Sequence, residues 1–115
     1  MPDYTLVEAI SEVGRLIDAS REAPVLFFKH SLSCPVSSRA FGEYQRFLAE
    51  RPEDDDTVYT LVEIQKARDV SREIAERTGV RHESPQALLV RGGQVVWHAS
   101  HWSIRAEALA AAVAG

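Results

Sequence analysis

Apolar side chains recur along the chain with two kinds of spacing, which predict alternating helices and strands. Three stretches place apolar residues three and four positions apart, and a fourth is rich in alanine, so four helices are expected. Shorter apolar runs, rich in residues that favour extended backbone, predict strands. The predicted helices are residues 5–19, 35–48, 67–78 and an alanine-rich segment that ends at Val113. The predicted strands are residues 25–29, 57–62, 86–90 and 95–98.

The residues at the ends of these segments support the boundaries. Thr5 is followed three positions later by Glu8, a capping-box pattern that predicts the first helix to begin at Thr5. Pro35 is favourable in a first helical turn, and Gly79 stands where a left-handed residue would close the third helix. Ser103 or a neighbour is expected to cap the last helix.

The connections between the predicted strands indicate how the strands pair. Two early strands joined by a helix favour a parallel pair, whereas a turn at Gly92 and Gly93 predicts an antiparallel hairpin. The acidic run at residues 51–56 is expected to be a solvated turn. The simplest arrangement is one α/β domain over residues 1–115, with a four-stranded mixed sheet and helices on both of its faces. With a cysteine between a strand and a helix and a proline before the hairpin, this element order is typical of the thioredoxin-like fold.

Charge and length argue against several classes of protein. The 115 residues include 13 basic and 17 acidic side chains, a formal charge of −4 at pH 7, so nothing in the charge favours nucleic acid or an anionic membrane as a partner. No apolar run approaches the roughly 20 residues of a membrane span, and the first residues lack the pattern of a secretory signal. We therefore expect a cytoplasmic protein, in which the single cysteine, Cys34, stays reduced.

The position of Cys34 indicates a reactive thiol. It follows a predicted strand and opens a predicted helix, where free backbone N–H groups and the positive end of the helix dipole favour a thiolate. Basic side chains end the preceding strand, and hydroxyl donors lie within the same turn. We expect Cys34 to be the catalytic nucleophile, and we expect its thiolate to be stabilised by Lys29, His30, Ser33, Pro35 and Ser37.

Ser37 stands where a Cys-x-x-Cys pair would carry its second thiol. A hydroxyl at this position can hydrogen-bond to a thiolate but cannot form a disulfide with it. Such a monothiol site can hold one half of a disulfide as a mixed disulfide, and an outside thiol must then release it. The alternative is that Cys34 is a small buried core residue, a common role for a free cysteine.

Ser84 and Pro85 form a second candidate element just before a predicted strand. An X–Pro bond is cis in only about 5–6% of folded cases, so a proline alone carries little information. Thioredoxin-like proteins place a cis proline opposite the reactive cysteine, where the preceding backbone pairs with an extended substrate. We therefore expect Ser84 and Pro85 to bind substrate, the alternative being a proline that merely starts a strand.

Four segments carry a more specific resemblance: residues 28–31 (FKHS), 33–37 (SCPVS), 74–86 (IAERTGVRHESPQ) and 96–102 (VWHASHW). Together they resemble the YtxJ family of monothiol bacilliredoxin-like proteins, over residues 23–109. The family usually has threonine before the cysteine, whereas this chain has Ser33, a conservative change.

The resemblance implies a thioredoxin-like fold and a thiol–disulfide oxidoreductase that removes bacillithiol from protein cysteines after oxidative stress. On this interpretation Cys34 takes up bacillithiol, and Ser37 occupies the vacant resolving position. The implied partners are S-bacillithiolated proteins and a low-molecular-weight thiol. Bacillithiol would act as a co-substrate, with no other cofactor.

His98 and His101 lie three residues apart, next to Trp97 and Trp102. A zinc site requires three or four converging ligands, commonly with paired spacings, and this pattern does not provide them. We therefore predict no metal site. We expect the tryptophans to complete the core and the imidazoles to form local hydrogen bonds, with a surface that faces the substrate as the alternative.

Two other classes of function are consistent with the sequence. Monothiol glutaredoxins, which carry iron–sulfur clusters, also have one cysteine followed by serine at plus three, but with Gly-Phe between them rather than Pro35 and Val36. A thioredoxin-like domain can also act as an adaptor without catalysis. Only the redox function and the cluster carrier require Cys34.

Overall fold

The structure is a computed structural model that describes residues 3–115. Within that range the chain alternates strands and helices and ends in a hairpin and a final helix. The strands are β1 (Thr5–Leu6), β2 (Val25–His30), β3 (Val58–Glu63), β4 (Gln86–Arg91) and β5 (Gln94–Ser100). The helices are α1 (Ile10–Ala19), α2 (Pro35–Glu50), α3 (Arg68–Thr78) and α4 (Ala106–Ala114), and a short 3-10 helix covers His101–Ser103.

The strands form one mixed sheet in the order β1-β3-β2-β4-β5. Strand β3 is parallel to both β1 and β2, and β4 is antiparallel to β2 and to β5. Both glycines of the β4–β5 turn have positive φ, 59° at Gly92 and 81° at Gly93, which is the backbone that a two-residue hairpin requires. The predicted parallel pair and the predicted hairpin are therefore confirmed, and β2 lies at the centre of the sheet.

The first predicted helix begins too early, and the sheet has five strands rather than four. Thr5 and Leu6 pair with β3, and Val7 donates its backbone N–H to Leu61 at 2.9 Å. Helix α1 starts at Ile10, where the Glu12 carboxylate accepts the backbone N–H of Ala9 at 3.0 Å. The capping prediction was wrong because the open edge of β3 supplies hydrogen-bond partners that recruit this segment into the sheet.

The last helix is capped from another element rather than by Ser103. Ser103 lies in the 3-10 helix, and α4 begins after Arg105, which provides no side-chain cap. The backbone N–H of Ala106 instead donates to the Glu43 carboxylate of α2 at 3.0 Å. This hydrogen bond and the neighbouring Arg46 lower the pKa of Glu43. A free N–H at a helix start can thus be satisfied by tertiary contact alone.

The acidic turn is solvated, with one exception. Glu53, Asp54 and Asp56 are exposed, as predicted. Asp55 instead accepts the Thr57 backbone N–H at 3.0 Å and the Tyr59 hydroxyl at 2.5 Å. One carboxylate of the run therefore fixes the start of β3.

Strand β2 separates two apolar layers because its side chains alternate between the faces of the sheet. Leu26 and Phe28 face α2 and α4, where the Phe28 ring stacks on Tyr44 with centroids 4.5 Å apart. Val25 and Phe27 face α1 and α3. Helices therefore cover both faces of the sheet, as predicted. Strand β2 ends at His30, four residues before Cys34.

Candidate active site

Cys34 is the residue directly before α2, and its backbone is extended at φ −103° and ψ 124°. Pro35 is the first residue of the helix, as predicted. Cys34 is partly exposed rather than fully buried in the core. Its carbonyl accepts the Ser38 N–H at 3.0 Å, while its side chain forms no capping hydrogen bond. The sulfur is therefore left available at the start of the helix.

Ser37 is fully buried and joins the start of α2 to the end of β2. Its hydroxyl oxygen accepts the Ser31 backbone N–H at 2.8 Å and lies 2.8 Å from Nδ1 of His30. The His30 ring stacks on Phe41 with centroids 4.7 Å apart. Ser37 was expected to donate to the thiolate, but no hydrogen bond from its hydroxyl to Sγ of Cys34 occurs within residues 3–115. Its hydroxyl instead holds the loop before Cys34 against the helix.

His30 does not supply the positive charge that was expected next to Cys34. Burial lowers the pKa of His30, although the nearby Glu63 carboxylate acts in the opposite direction. The imidazole is therefore neutral at pH 7, because even an unperturbed histidine is mostly neutral there. A neutral ring with one N–H and one lone pair can share a single proton with Ser37 in either direction.

Lys29 lies on the opposite face of the sheet from His30. Its buried ammonium donates to the Ser71 carbonyl at 3.1 Å and lies 3.1 Å from Nδ1 of His82. Burial lowers the pKa of Lys29 from 10.5 to about 8, so the group remains mostly charged at pH 7. The Lys29 ammonium points away from Cys34, because neighbouring residues of a strand point to opposite faces, so any effect of its charge on the thiolate acts without contact.

Gln65 is a site residue that the sequence analysis missed. Its carbonyl oxygen accepts the Leu32 backbone N–H at 2.9 Å, and its amide nitrogen donates to the hydroxyls of Ser31 at 2.9 Å and Ser33 at 3.2 Å. One side chain after β3 thus fixes the three residues before Cys34. The Ser33 hydroxyl accepts from Gln65, and no hydrogen bond from it to Sγ of Cys34 occurs within residues 3–115. Nothing in the sequence links Gln65 to Leu32, which lies 33 residues away.

The Ser84–Pro85 peptide bond is cis, as the thioredoxin-like pattern predicted. Because Gln86 pairs with Lys29, Pro85 lies next to the end of β2 that leads to Cys34. The Pro85 carbonyl accepts the His101 N–H at 3.1 Å. Within the described residues, the backbone of Ser84 has no backbone partner, and its buried hydroxyl is also unpartnered. This short segment is therefore free to pair with another chain.

The tryptophan and histidine predictions are confirmed only in part. Trp97 packs against the core, whereas Trp102 is 60% exposed and lies under the Arg39 guanidinium, 4.9 Å from the ring centroid. The imidazoles of His98 and His101 are exposed and form no hydrogen bonds within residues 3–115, contrary to expectation. Trp102 lies outside the core, directly after His101, whose backbone has a positive φ of 52°.

Residues 3–115 also bear on two other classes of site, metal centres and membrane-spanning segments. No group of three or more histidine, cysteine, aspartate or glutamate side chains is arranged to hold a metal ion in that range. None of the helices described there combines the length and the apolar character that a membrane crossing requires.

Solved structures with the same fold define the class of protein. The chain superimposes on a protein described as a candidate oxidoreductase with a thioredoxin fold, at TM-score 0.82 and 34% identity, covering 95% of this chain and 92% of the other. It also matches the thioredoxin of Malassezia sympodialis at TM-score 0.74, with 13% identity and coverage of 96% and 88%. Mitochondrial thioredoxin 3 of Saccharomyces cerevisiae matches at TM-score 0.71, with 14% identity and coverage of 96% and 93%. The fold is that of thioredoxin, and the class is the thioredoxin-fold thiol–disulfide oxidoreductases.

A family model narrows this class. The model of the monothiol bacilliredoxin BrxC matches residues 5–109. The chain belongs to the monothiol bacilliredoxin family. The match includes the whole Cys34 loop, Gln65 and the cis peptide bond at Pro85.

Proposed function

We propose that this protein removes bacillithiol from S-bacillithiolated protein cysteines in the cytoplasm, by a monothiol mechanism at Cys34. The observation that carries the proposal is a partly exposed lone thiol at the start of α2, with a buried serine in the position of a second thiol. Family membership supports thiol–disulfide exchange in general. Bacillithiol as co-substrate and oxidative stress as the occasion come from the same family resemblance.

The proposed chemistry is a pair of exchanges in which electrons and protons balance. The Cys34 thiolate attacks the bacillithiol sulfur of the target's mixed disulfide. A bond forms between Cys34 and bacillithiol, the target S–S bond breaks, and the target cysteine leaves as a thiolate that takes a proton from water. An outside thiol then attacks the bacillithiol sulfur, regenerates the Cys34 thiolate and carries bacillithiol away as a small disulfide. Neither exchange changes the total number of disulfides.

The surroundings of Cys34 suit the first exchange. The helix start offers partial positive charge to a thiolate and to the negative charge that is spread over three sulfurs during attack. The hydrogen bonds of Gln65 and Ser37 hold the preceding loop, so the sulfur is positioned without a contact of its own. The unpaired backbone of Ser84 would accept the target chain as an added strand.

Intact-mass measurement of both partners tests the proposal. The reduced protein is mixed with a small bacillithiolated target, and we expect the target to lose the bacillithiol mass while Cys34 gains it. Cys34→Ser should transfer nothing. Ser37→Cys should instead release bacillithiol and form an internal disulfide, because a second thiol then stands three residues away.

Two results would contradict the proposed activity or the role of Cys34. If wild-type Cys34 stays unmodified while the target keeps its bacillithiol, the assigned activity is wrong. If transfer proceeds unchanged in Cys34→Ser, another group carries it and the nucleophile assignment is wrong.

A further inference from the structure

A small basic cleft lies beside α3, on the face of the sheet opposite the His30 ring. It has a volume of about 260 Å³ and opens between α3 and the loop that leads to Pro85. It is lined by Ile64, Arg68, Ser71, Arg72, Ala75 and His82. Nothing in the chemistry at Cys34 described above uses this cleft.

The cations around the cleft lack acidic partners. Arg68 and Arg72 are exposed, one turn apart on α3, and neither forms a salt bridge within residues 3–115. Of the carboxylates nearby, Asp69 accepts a backbone N–H and Glu73 pairs with Arg77 at 2.7 Å, while Glu76 and Glu83 form no salt bridge with either arginine within residues 3–115. Uncompensated positive charge is unexpected in a chain with a formal charge of −4.

The wall of the cleft also contains a fixed hydrogen-bond donor. Nδ1 of His82 lies 3.1 Å from the Lys29 ammonium and 3.0 Å from the Ser71 hydroxyl. An ammonium can only donate, so Nδ1 of His82 accepts and the ring proton sits on Nε2. Burial and the charge of Lys29 lower the pKa of His82, while Glu83 raises it. The ring therefore stays neutral at pH 7 and presents an N–H on its free edge.

The cleft adjoins the elements that hold Cys34. The backbone N–H of Ile64, in its wall, donates to the His30 carbonyl at 3.0 Å. The next residue is Gln65, whose side chain binds the loop before Cys34. On the other side, His82 precedes the unpaired backbone of Ser84 by two residues. The cleft is thus linked through Ile64 and Gln65 to the loop before Cys34, and through His82 to the segment at the cis peptide bond.

We propose that this basic cleft binds a carboxylate of the small thiol that forms the mixed disulfide at Cys34. Guanidinium groups and an imidazole N–H match the paired oxygens of a carboxylate. Thiols built on cysteine commonly carry such a group, whereas the volume is too small for a folded partner. The proposal rests on the proposed function, because it assigns part of the substrate of the same site.

Direct binding can be measured without thiol chemistry. The Cys34→Ser protein is titrated with N-acetyl-S-methylcysteine and separately with its uncharged amide, and the ring signals of His82 are followed by NMR. We expect saturable shifts with the carboxylate and none with the amide. Arg68→Gln and Arg72→Gln should each weaken binding about tenfold, the loss of one charge-assisted hydrogen bond. Arg15→Gln, an equal change of charge on α1, should leave binding unchanged.

Exchange kinetics test whether the cleft serves Cys34. The wild-type protein is reacted with the disulfide of N-acetylcysteine and with the disulfide of its amide, and adduct formation at Cys34 is timed by intact mass. We expect the carboxylate form to react about tenfold faster, and Arg72→Gln to slow that form alone. Inorganic phosphate, another oxyanion, should slow the carboxylate form only at concentrations well above those of the disulfide.

The outcomes separate the two proposals. If the carboxylate does not shift His82, or if both arginine variants bind it unchanged, the cleft is not a carboxylate site. If binding occurs but the two disulfides react equally fast, the cleft does not serve the thiol at Cys34 and the inference is overturned. If Cys34 reacts with neither disulfide while His82 still shifts, it is the proposed function that fails, and the cleft loses its role in exchange.

Discussion

Lys29 and His30 are neighbours in one strand, yet they belong to two different polar clusters on opposite faces of the sheet. His30 contacts Ser37 and stacks on Phe41, on the side of the helix that Cys34 opens. Lys29 contacts Ser71 and His82, on the side of α3. Both side chains are buried, and burial lowers the pKa of each.

The difference between the clusters is their charge. Near pH 7 the His30 cluster is neutral and has a structural role, because its hydrogen bonds hold the loop before Cys34. The Lys29 cluster keeps a buried positive charge and has two further guanidinium groups at its rim. A buried ammonium without a carboxylate is costly to maintain, and here the Ser71 carbonyl and Nδ1 of His82 accept its hydrogen bonds. The sheet thus separates a rigid support for the thiol from a basic surface suited to an anion.

Removing the centre of the neutral cluster should have the largest effect on stability. Ser37→Ala leaves the part-buried Ser31 N–H and the buried Nδ1 of His30 without their partner, so we expect a loss of about 2–4 kcal/mol in the free energy of unfolding. The matched control is Ser38→Ala, on the exposed side of the same turn, which should change it by less than about 0.5 kcal/mol. Denaturant unfolding measures both. Equal values for the two variants would mean that the cluster does not hold the loop.

The buried charge of Lys29 should make the unfolding free energy depend on pH. Between about pH 8 and 10.5 the unfolded chain keeps a proton on Lys29 that the folded chain has lost. The unfolding free energy should therefore rise with pH in this interval, by up to about 1.4 kcal/mol per unit from this one group.

Replacing Lys29 isolates its contribution to the pH dependence of the unfolding free energy. Lys29→Met should remove the rise, whereas Lys66→Met, at the chain's other lysine, should retain it because that side chain is 71% exposed. Urea unfolding at several pH values measures the slope. A slope that survives in Lys29→Met would assign it to a different group.

The smallest expected effect concerns the loop between the clusters. Gln65→Ala removes three hydrogen bonds from residues 31–33 at an exposed position, so we expect a stability loss below about 1 kcal/mol. The reaction rate of Cys34 with iodoacetamide at fixed pH should fall severalfold, since the sulfur is held through this loop. Gln45→Ala, on the exposed face of α2, is the control and should react at the wild-type rate. If Gln65→Ala reacts with iodoacetamide at the wild-type rate, Gln65 does not position Cys34.

Much of the fold was predictable because its signals are local. The periods of apolar residues placed β2, α2 and α3, and the glycines of the hairpin and at Gly79 adopted the positive φ values that their positions implied. Two errors share one cause. The segment at Thr5 was recruited by the open edge of β3, and α4 was capped by Glu43 of another helix. In both cases a distant partner outweighed the local capping signal.

The sequence by itself determined the chemistry of the protein: one thiol, a serine in the place of a second, and a proline before the hairpin. Only the tertiary structure decided what surrounds that thiol. It turned Lys29 away from Cys34, engaged Ser37 with His30, and brought Gln65 to the loop. The physical reason is that nucleophile and helix start are neighbours along the chain, whereas hydrogen-bond partners and strand faces depend on which segments the sheet brings together.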